Sequence, residues 1–124
     1  MKVVLSWFVV ILWMGMIFAL SAVPLLASPL APTYDFILRK LAHLTVYAVL
    51  MVLLFRAVRL HVARPTYAWL LAGLVAAVYA CSDECHQTFV PGRDGSFRDI
   101  GIDTVGIAGA YVLMAKIRAY VPKA

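Results

Sequence analysis

The chain has 124 residues, of which 65% are hydrophobic and 14% are charged, and its mean hydropathy is +0.93. This apolar surface exceeds what one small water-soluble core can bury, which excludes an ordinary soluble domain. The net charge of +5 does not indicate nucleic-acid binding, because the lysines and arginines mainly flank apolar segments, where they orient membrane helices. The composition therefore predicts an integral membrane protein, with the lipid bilayer as its first partner.

Four apolar segments follow one another along the chain, at about residues 3–20, 41–58, 67–86 and 99–117. Each is close to the roughly 20 residues that a helix needs to cross the hydrocarbon core. Backbone groups inside a bilayer must be hydrogen-bonded within the protein, so each segment is predicted to be a helix. The predicted fold is all-α, a compact bundle of four transmembrane helices that forms a single domain over residues 1–124. The oligomeric state is not predicted.

The polar segments between these helices differ in charge. The link between the second and third helices contains three arginines and no acid, whereas residues 83–99 contain four acids against two arginines. The positive-inside rule therefore places the N- and C-termini in the cytoplasm and the acidic segment outside. Arg39 and Lys40 then lie outside, against the rule. We explain this exception by their facing the acidic segment at the same membrane edge.

Polar side chains recur at helical spacing near the outer ends of three helices. Residues three, four or seven positions apart share one face of a helix, and charged groups near lipid turn toward one another, so these faces are predicted to meet inside the bundle. The faces are formed by Lys40, His43 and Tyr47 in the second helix, by Tyr79, Asp83 and His86 in the third, and by Asp99 and Asp103 in the fourth.

The order and spacing of these residues resemble the signature of VanZ-like membrane proteins. The resemblance covers about residues 21–109 and implies a small multi-helix protein of the bacterial cytoplasmic (inner) membrane. For the founder of the family it also implies a link to tolerance of the glycopeptide teicoplanin, but it supplies no settled reaction. The matching positions are Lys40-x-x-His43-x-x-x-Tyr47, then Asp83-Glu84-x-His86-Gln87-x-Phe89-x-Pro91-Gly92-Arg93, then Asp99 and Gly106.

Two features depart from the pattern of many relatives. Leu44 and Val46 stand where many relatives have Phe and an acid, which puts in doubt any role for an acid on that turn. Asp103 stands where many have Asn, which adds a carboxyl group to the predicted site.

One functional interpretation is recognition of an anionic lipid headgroup or a cell-wall lipid precursor at the outer leaflet. Lysine and arginine side chains supply the positive charge, and a guanidinium can bind a phosphate or carboxylate through two hydrogen bonds. A turn at Pro91-Gly92 would hold the arginine that follows it in place. The ligand-binding residues predicted on this interpretation are Lys40, Tyr47, Gln87, Arg93 and Ser96.

A second interpretation is a membrane-embedded, metal-assisted hydrolase that acts on a phosphoester or an amide. Carboxylates and imidazoles bind Zn²⁺, Mn²⁺ or Mg²⁺, and a His–carboxylate pair can also act as base and acid without metal. The spacing matches no standard metal motif, so the metal, and whether the protein is an enzyme, stay open. The candidate catalytic residues are His43, Asp83, Glu84, His86 and Asp99, with Asp103 behind them.

A third interpretation is purely structural. Lys40 with Asp83, or Arg93 with Asp99, could form ion pairs that only fix the register of the helices, as in an accessory membrane protein. Fixing four helices does not require this variety of ionisable side chains at one edge, which favours the two functional interpretations.

Overall fold

The computed structural model describes residues 1–24, 32–93 and 95–120. These residues form four helices and no strand: α1 (Lys2–Ser21), α2 (Pro32–Val58), α3 (Pro65–Gln87) and α4 (Phe97–Tyr120). Each helix is long and apolar enough to cross a membrane. The predicted all-helical bundle of a multi-pass membrane protein is therefore confirmed.

The helices begin where local chemistry favours a start. α3 begins with Pro65 in its first turn, where the missing N–H costs no hydrogen bond, and α4 follows Ser96, whose Oγ accepts a hydrogen bond from the Asp99 N–H at 3.3 Å. α2 begins at Pro32, well before the predicted start near residue 41. Its 27 residues span about 40 Å at 1.5 Å per residue, so its first turns extend beyond a hydrocarbon core of about 30 Å.

The helices alternate in direction, so the end of α1, the start of α2, the end of α3 and the start of α4 meet at one end of the bundle. We call this the polar end, because the contact between Lys40 and Asp99 lies there. At the opposite end, Trp7 near the start of α1 donates a hydrogen bond to His61, which follows α2. We call this the basic end, because the arginines of the link between α2 and α3 lie there.

α2 is the central helix of the core. Tyr47, Leu50 and Leu54 are fully buried on it. α3 packs against the core through an alanine stripe of four fully buried residues at helical spacing, Ala68, Ala72, Ala76 and Ala80. Small side chains in such a stripe let two helices approach closely in a bilayer, where dispersion contacts do much of the work of packing. The outward surfaces carry many exposed large apolar side chains, as expected for helices that face lipid.

α1 lies at the periphery of the bundle. Only 11% of its membrane span is buried, against 39% of the α2 span. Hydrogen bonds to backbone carbonyl oxygens connect it to its neighbours: Trp13 Nε1 donates to the Val46 oxygen of α2 at 3.0 Å, and the Tyr79 hydroxyl of α3 donates to the Met14 oxygen at 2.6 Å. α1 is therefore attached to the bundle by one narrow face, on which Val10 and Ile17 are buried, and by these hydrogen bonds.

α4 approaches α2 closely at Gly106. A Cβ atom added there would collide with the backbone carbonyl group of Leu44, whereas a Cβ atom at Gly109 would meet nothing within 4 Å. The absence of a side chain at Gly106 therefore sets the distance between the two helices that carry most of the polar residues.

We expect Gly106→Ala to lower the free energy of unfolding by about 1–3 kcal/mol, because α4 must move away from α2 to accommodate the methyl group. Gly109→Ala is the matched control on the same helix and should be neutral or slightly stabilising, since alanine favours a helix. Thermal unfolding of both variants in one detergent checks the prediction. Equal midpoints for the two variants would contradict it.

Candidate functional site

The polar end contains a cluster of interacting side chains from α2, α3, α4 and the loop before α4. We call it the polar cluster, and its members are Lys40, His43, Tyr47, Asp83, Glu84, Gln87, Ser96, Asp99 and Asp103. All were candidates from the sequence. The acids are largely removed from solvent, since Asp83, Glu84, Asp99 and Asp103 are each 8% exposed or less.

The polar stripes of α2 and α4 meet side by side. Lys40 forms an ion pair with Asp99, and His43 Nδ1 lies 3.2 Å from Asp103 Oδ1. The two helices run in the same direction, so the pairs follow the same order along both. Lys40 and His43 are three residues apart on α2, and their partners Asp99 and Asp103 are four apart on α4. Neither structural pair suggested by the sequence, Lys40 with Asp83 or Arg93 with Asp99, is found among the ion pairs of the described residues.

Asp83 is held by donors on one side only. Its Oδ2 accepts hydrogen bonds from the Tyr47 hydroxyl and from Gln87 Nε2, both at 3.2 Å. Its Oδ1 is buried and has no hydrogen-bond partner among the described residues. Gln87 also lies 3.4 Å from the hydroxyl of Ser21 at the end of α1, which connects this helix to the cluster.

Glu84 is held in a similar way. Its Oε2 accepts a hydrogen bond from the Ser96 N–H at 3.0 Å, while its Oε1 lies 3.9 Å from His43 Nδ1. The loop that supplies Ser96 packs tightly on α3, because a Cβ atom at Gly95 would collide with the backbone oxygen of Glu84. Ser96 therefore has two roles, since it caps α4 and fixes one oxygen of Glu84.

Arg93 follows the predicted tight turn. Gly92 has a positive φ of 80°, and the Arg93 N–H donates to the Val90 oxygen at 3.1 Å. The guanidinium donates through Nε to the Val23 oxygen at 3.1 Å and through Nη2 to the Leu20 oxygen at 2.8 Å. Burial and the neighbouring charge of Arg39 lower the pKa of Arg93 from its ordinary value. Arg93 thus binds the end of α1 and also brings a second guanidinium near Arg39.

His86 lies apart from the polar cluster. Its ring stacks on Phe18 of α1, with 4.3 Å between the ring centroids, and its buried Nε2 has no hydrogen-bond partner among the described residues. The sequence predicted that His86, three positions after Asp83, faces the cluster. In the structure Gln87, four positions after Asp83, lies there instead. Ser21 is a residue that the sequence analysis missed. Its only signal there was a small polar residue at the end of an apolar segment.

A cleft of 250 Å³ opens beside the cluster, between α1 and α2. One part of its wall is polar and the other is apolar, so a molecule with a charged group and a hydrocarbon part fits its chemistry. The lining residues are Ile17, Leu20, Ser21, Arg39, Ala42, His43, Val46, Asp83 and Arg93. His43 and Asp83 belong to both the cleft and the polar cluster.

Four helices that are each long and apolar enough to cross a membrane, packed around a buried polar cluster, define a multi-pass membrane protein with a candidate site at one end of the bundle. The model of the VanZ/LLP1 family matches residues 6–118, nearly the whole chain. The chain therefore belongs to the VanZ/LLP1 family, as its motifs indicated. No curated protein and no solved structure matches it.

We expect Tyr47→Phe to destabilise the protein by about 1–3 kcal/mol, because it removes a hydrogen-bond donor from a buried carboxylate. Tyr111→Phe on α4 is the matched control, since Tyr111 is 47% exposed and its phenyl ring can keep the edge contact with Trp69. Unfolding midpoints in detergent check the difference. Two variants as stable as the parent would show that the bond to Asp83 contributes little.

Proposed function

We propose that this VanZ-like protein recognises the anionic headgroup of a membrane lipid or of a lipid-linked cell-envelope precursor. The observation that carries the proposal is the cleft between α1 and α2, which is lined by two arginine residues next to an apolar wall. Arg39 and Arg93 both line it, and burial of Arg93 strengthens any interaction of its charge with an anion.

The apolar part of the cleft supports a lipid over a free anion. Ile17, Leu20 and Val46 line it from the two helices, next to the arginines. α1 exposes most of its surface, so a hydrocarbon chain can lie along the bundle while its headgroup enters the cleft from the side. A soluble anion would gain nothing from these apolar residues.

The remaining polar residues would position the ligand indirectly. Lys40, predicted as a ligand-binding residue, offsets the charge of Asp99, and Tyr47 and Gln87 hold Asp83. In this proposal they keep the acids in fixed places beside the cleft.

A second candidate function is hydrolysis of a phosphoester or an amide in the same cleft. His43 favours it, because this side chain lines the cleft and lies 3.2 Å from the buried carboxylate of Asp103. A base must lie within hydrogen-bond reach of the water or hydroxyl that it deprotonates, and a carboxylate behind an imidazole orients it for that task. Asp83 and Glu84 would then hold a metal or the attacking water.

We further propose a bacterial cytoplasmic membrane as the location, with both termini in the cytoplasm. The basic end supports this orientation, since Arg56 and Arg59 border a cleft there together with Lys2 of α1. The four acids of the polar cluster lie at the polar end, which would face outward. If the ligand is a cell-wall lipid precursor, expression of the protein would change tolerance of teicoplanin, in keeping with the founder of the family.

The orientation is tested by labelling introduced cysteines in intact cells, in a Cys81→Ser/Cys85→Ser background. We expect Phe97→Cys, which lies at the polar end where Phe97 is 93% exposed, to react with a membrane-impermeant maleimide. Arg64→Cys, at the exposed basic end, should react only after the cells are opened. The reverse pattern would invert the proposed topology.

Lipid recognition is tested by native mass spectrometry of the purified protein with phosphatidylglycerol, a polyprenyl phosphate, and zwitterionic phosphatidylcholine as the comparison. We expect binding of the anionic lipids and a loss of roughly tenfold or more in Arg39→Gln, because a charge-assisted hydrogen bond contributes about 1.5–3 kcal/mol. Arg98→Gln removes the same charge from an exposed position at the same end, outside the cleft lining, and should bind like the parent.

Arg93→Gln should also weaken lipid binding, but it releases the end of α1 as well, so Arg39→Gln is the cleaner variant. Equal affinities of the parent, Arg39→Gln and Arg98→Gln would refute the role of the cleft. The same spectra separate the two candidate functions. Loss of the phosphate group from bound lipid in the parent, but not in His43→Gln, would establish hydrolysis, whereas unchanged lipid would leave recognition alone.

A further inference from the structure

The carboxylates of the polar cluster share an arrangement that recognition of an anion does not explain. Each of three acids has one oxygen in a polar contact and a second one without a close partner. Asp83 is held at Oδ2 and Glu84 at Oε2, and Asp103 contacts His43 through Oδ1. Asp83 Oδ1 and Asp103 Oδ2 have no hydrogen-bond partner among the described residues, and Glu84 Oε1 has long contacts, at 3.5 Å from Gln87 Nε2 and 3.9 Å from His43 Nδ1.

We infer that the polar cluster binds one divalent cation through His43, Asp83 and Glu84, with Asp103 beside them as a fourth ligand. One ligand atom from each of the first three residues lies within 4.8 Å of the others. Ligand atoms around one ion at about 2.1–2.6 Å are separated by up to roughly 4–5 Å, so small side-chain movements bring these atoms to a common centre.

Asp103 supplies an observation that is independent of this grouping. It is 0% exposed, and its Oδ2 is an acceptor without a described donor. A carboxylate buried among membrane helices is costly unless its charge is fully offset, and the contact with His43 engages only one of the two oxygens of Asp103. The contact of Asp103 Oδ1 with His43 Nδ1 places this carboxylate beside the proposed ion.

The groups behind the ligands also fit a metal site. Carboxylate ligands are usually held by hydrogen bonds to their second oxygen, which fix the orientation of the first. Tyr47 and Gln87 do this for Asp83, and the backbone N–H of Ser96 does it for Glu84. Lys40 pairs with Asp99, so this acid is already neutralised and is left out of the ligand set.

The chemistry of the ligands selects the class of metal. Three carboxylates and one imidazole form an oxygen-rich set, which suits Mn²⁺ or Mg²⁺ better than the softer metals that prefer thiolates. The two cysteines of α3 are exposed and do not belong to the set. The ion would also offset the negative charge of the acids beside the cleft. This last consequence rests on the proposed function, whereas the ion site itself does not.

The test titrates Mn²⁺ into the full-length protein in mild detergent and measures free Mn²⁺ by electron paramagnetic resonance. We expect one bound ion per chain, with a nitrogen coupling in the spin-echo spectrum that identifies an imidazole ligand. His43→Gln should abolish the nitrogen coupling and weaken binding by roughly tenfold or more, and the isosteric Asp103→Asn should weaken it similarly. His86→Gln is the matched control, since His86 lies at the same end but stacks on Phe18, and it should bind like the parent.

The outcomes separate the ion site from the proposed function. Parent protein that is folded and monodisperse but binds no Mn²⁺ at millimolar concentration would overturn the site. Binding that His86→Gln abolishes and His43→Gln preserves would also overturn it. Repeating the phosphatidylglycerol titration with Mn²⁺ and with a chelator tests the link. Protein that binds Mn²⁺ but no lipid refutes only the proposed function, and protein that binds lipid but takes up no Mn²⁺ in the metal titration refutes only the ion site. Equal lipid affinity with Mn²⁺ and with the chelator refutes only the link between the two.

Discussion

The structure depends on how four carboxylates are kept among membrane helices. Removing an ionised carboxylate from water costs several kcal/mol, and inside a bilayer no solvent is available to reduce that cost. The polar end supplies protein donors instead: an ammonium for Asp99, a hydroxyl and an amide for Asp83, a backbone N–H for Glu84 and an imidazole for Asp103. The donors come from different segments, so the cluster also connects the helices.

The positions of the helices follow from this requirement. The pairs Lys40–Asp99 and His43–Asp103 form only if α2 and α4 run in the same direction, lie close together and keep their register. Gly106 allows the close approach, because its backbone lies against Leu44, the residue that follows His43. The loop before α4 is held to α3 by Gly95 and Ser96, so the start of α4 cannot shift without moving Glu84. Packing and polar contacts thus fix the same arrangement.

Much of this could be predicted from local patterns. Hydropathy identifies the four helices because each span is long, apolar and bounded by polar residues. Helical spacing identifies most of the cluster, because charged side chains near lipid must face inward. The partner of each side chain could not be predicted. Residues at i+3 and i+4 lie on nearly the same face of a helix, so spacing alone does not decide which of them contacts residue i. Here Gln87, at i+4, contacts Asp83, and His86, at i+3, does not. The early start of α2 was missed because Asp35, Arg39 and Lys40 interrupt the apolar pattern of its first turns.

The attachment of α1 has a consequence for how the chain can vary. Tyr79 and Arg93 hold this helix through the carbonyl oxygens of Met14, Leu20 and Val23, and every amino acid offers that same acceptor. Substitution of side chains in α1 therefore leaves these three hydrogen bonds intact, provided that the segment stays helical. A first helix with different apolar side chains would keep these three bonds but would lose the contacts that Trp13, Phe18 and Ser21 make with α2 and α3, whereas the two donors have no such freedom.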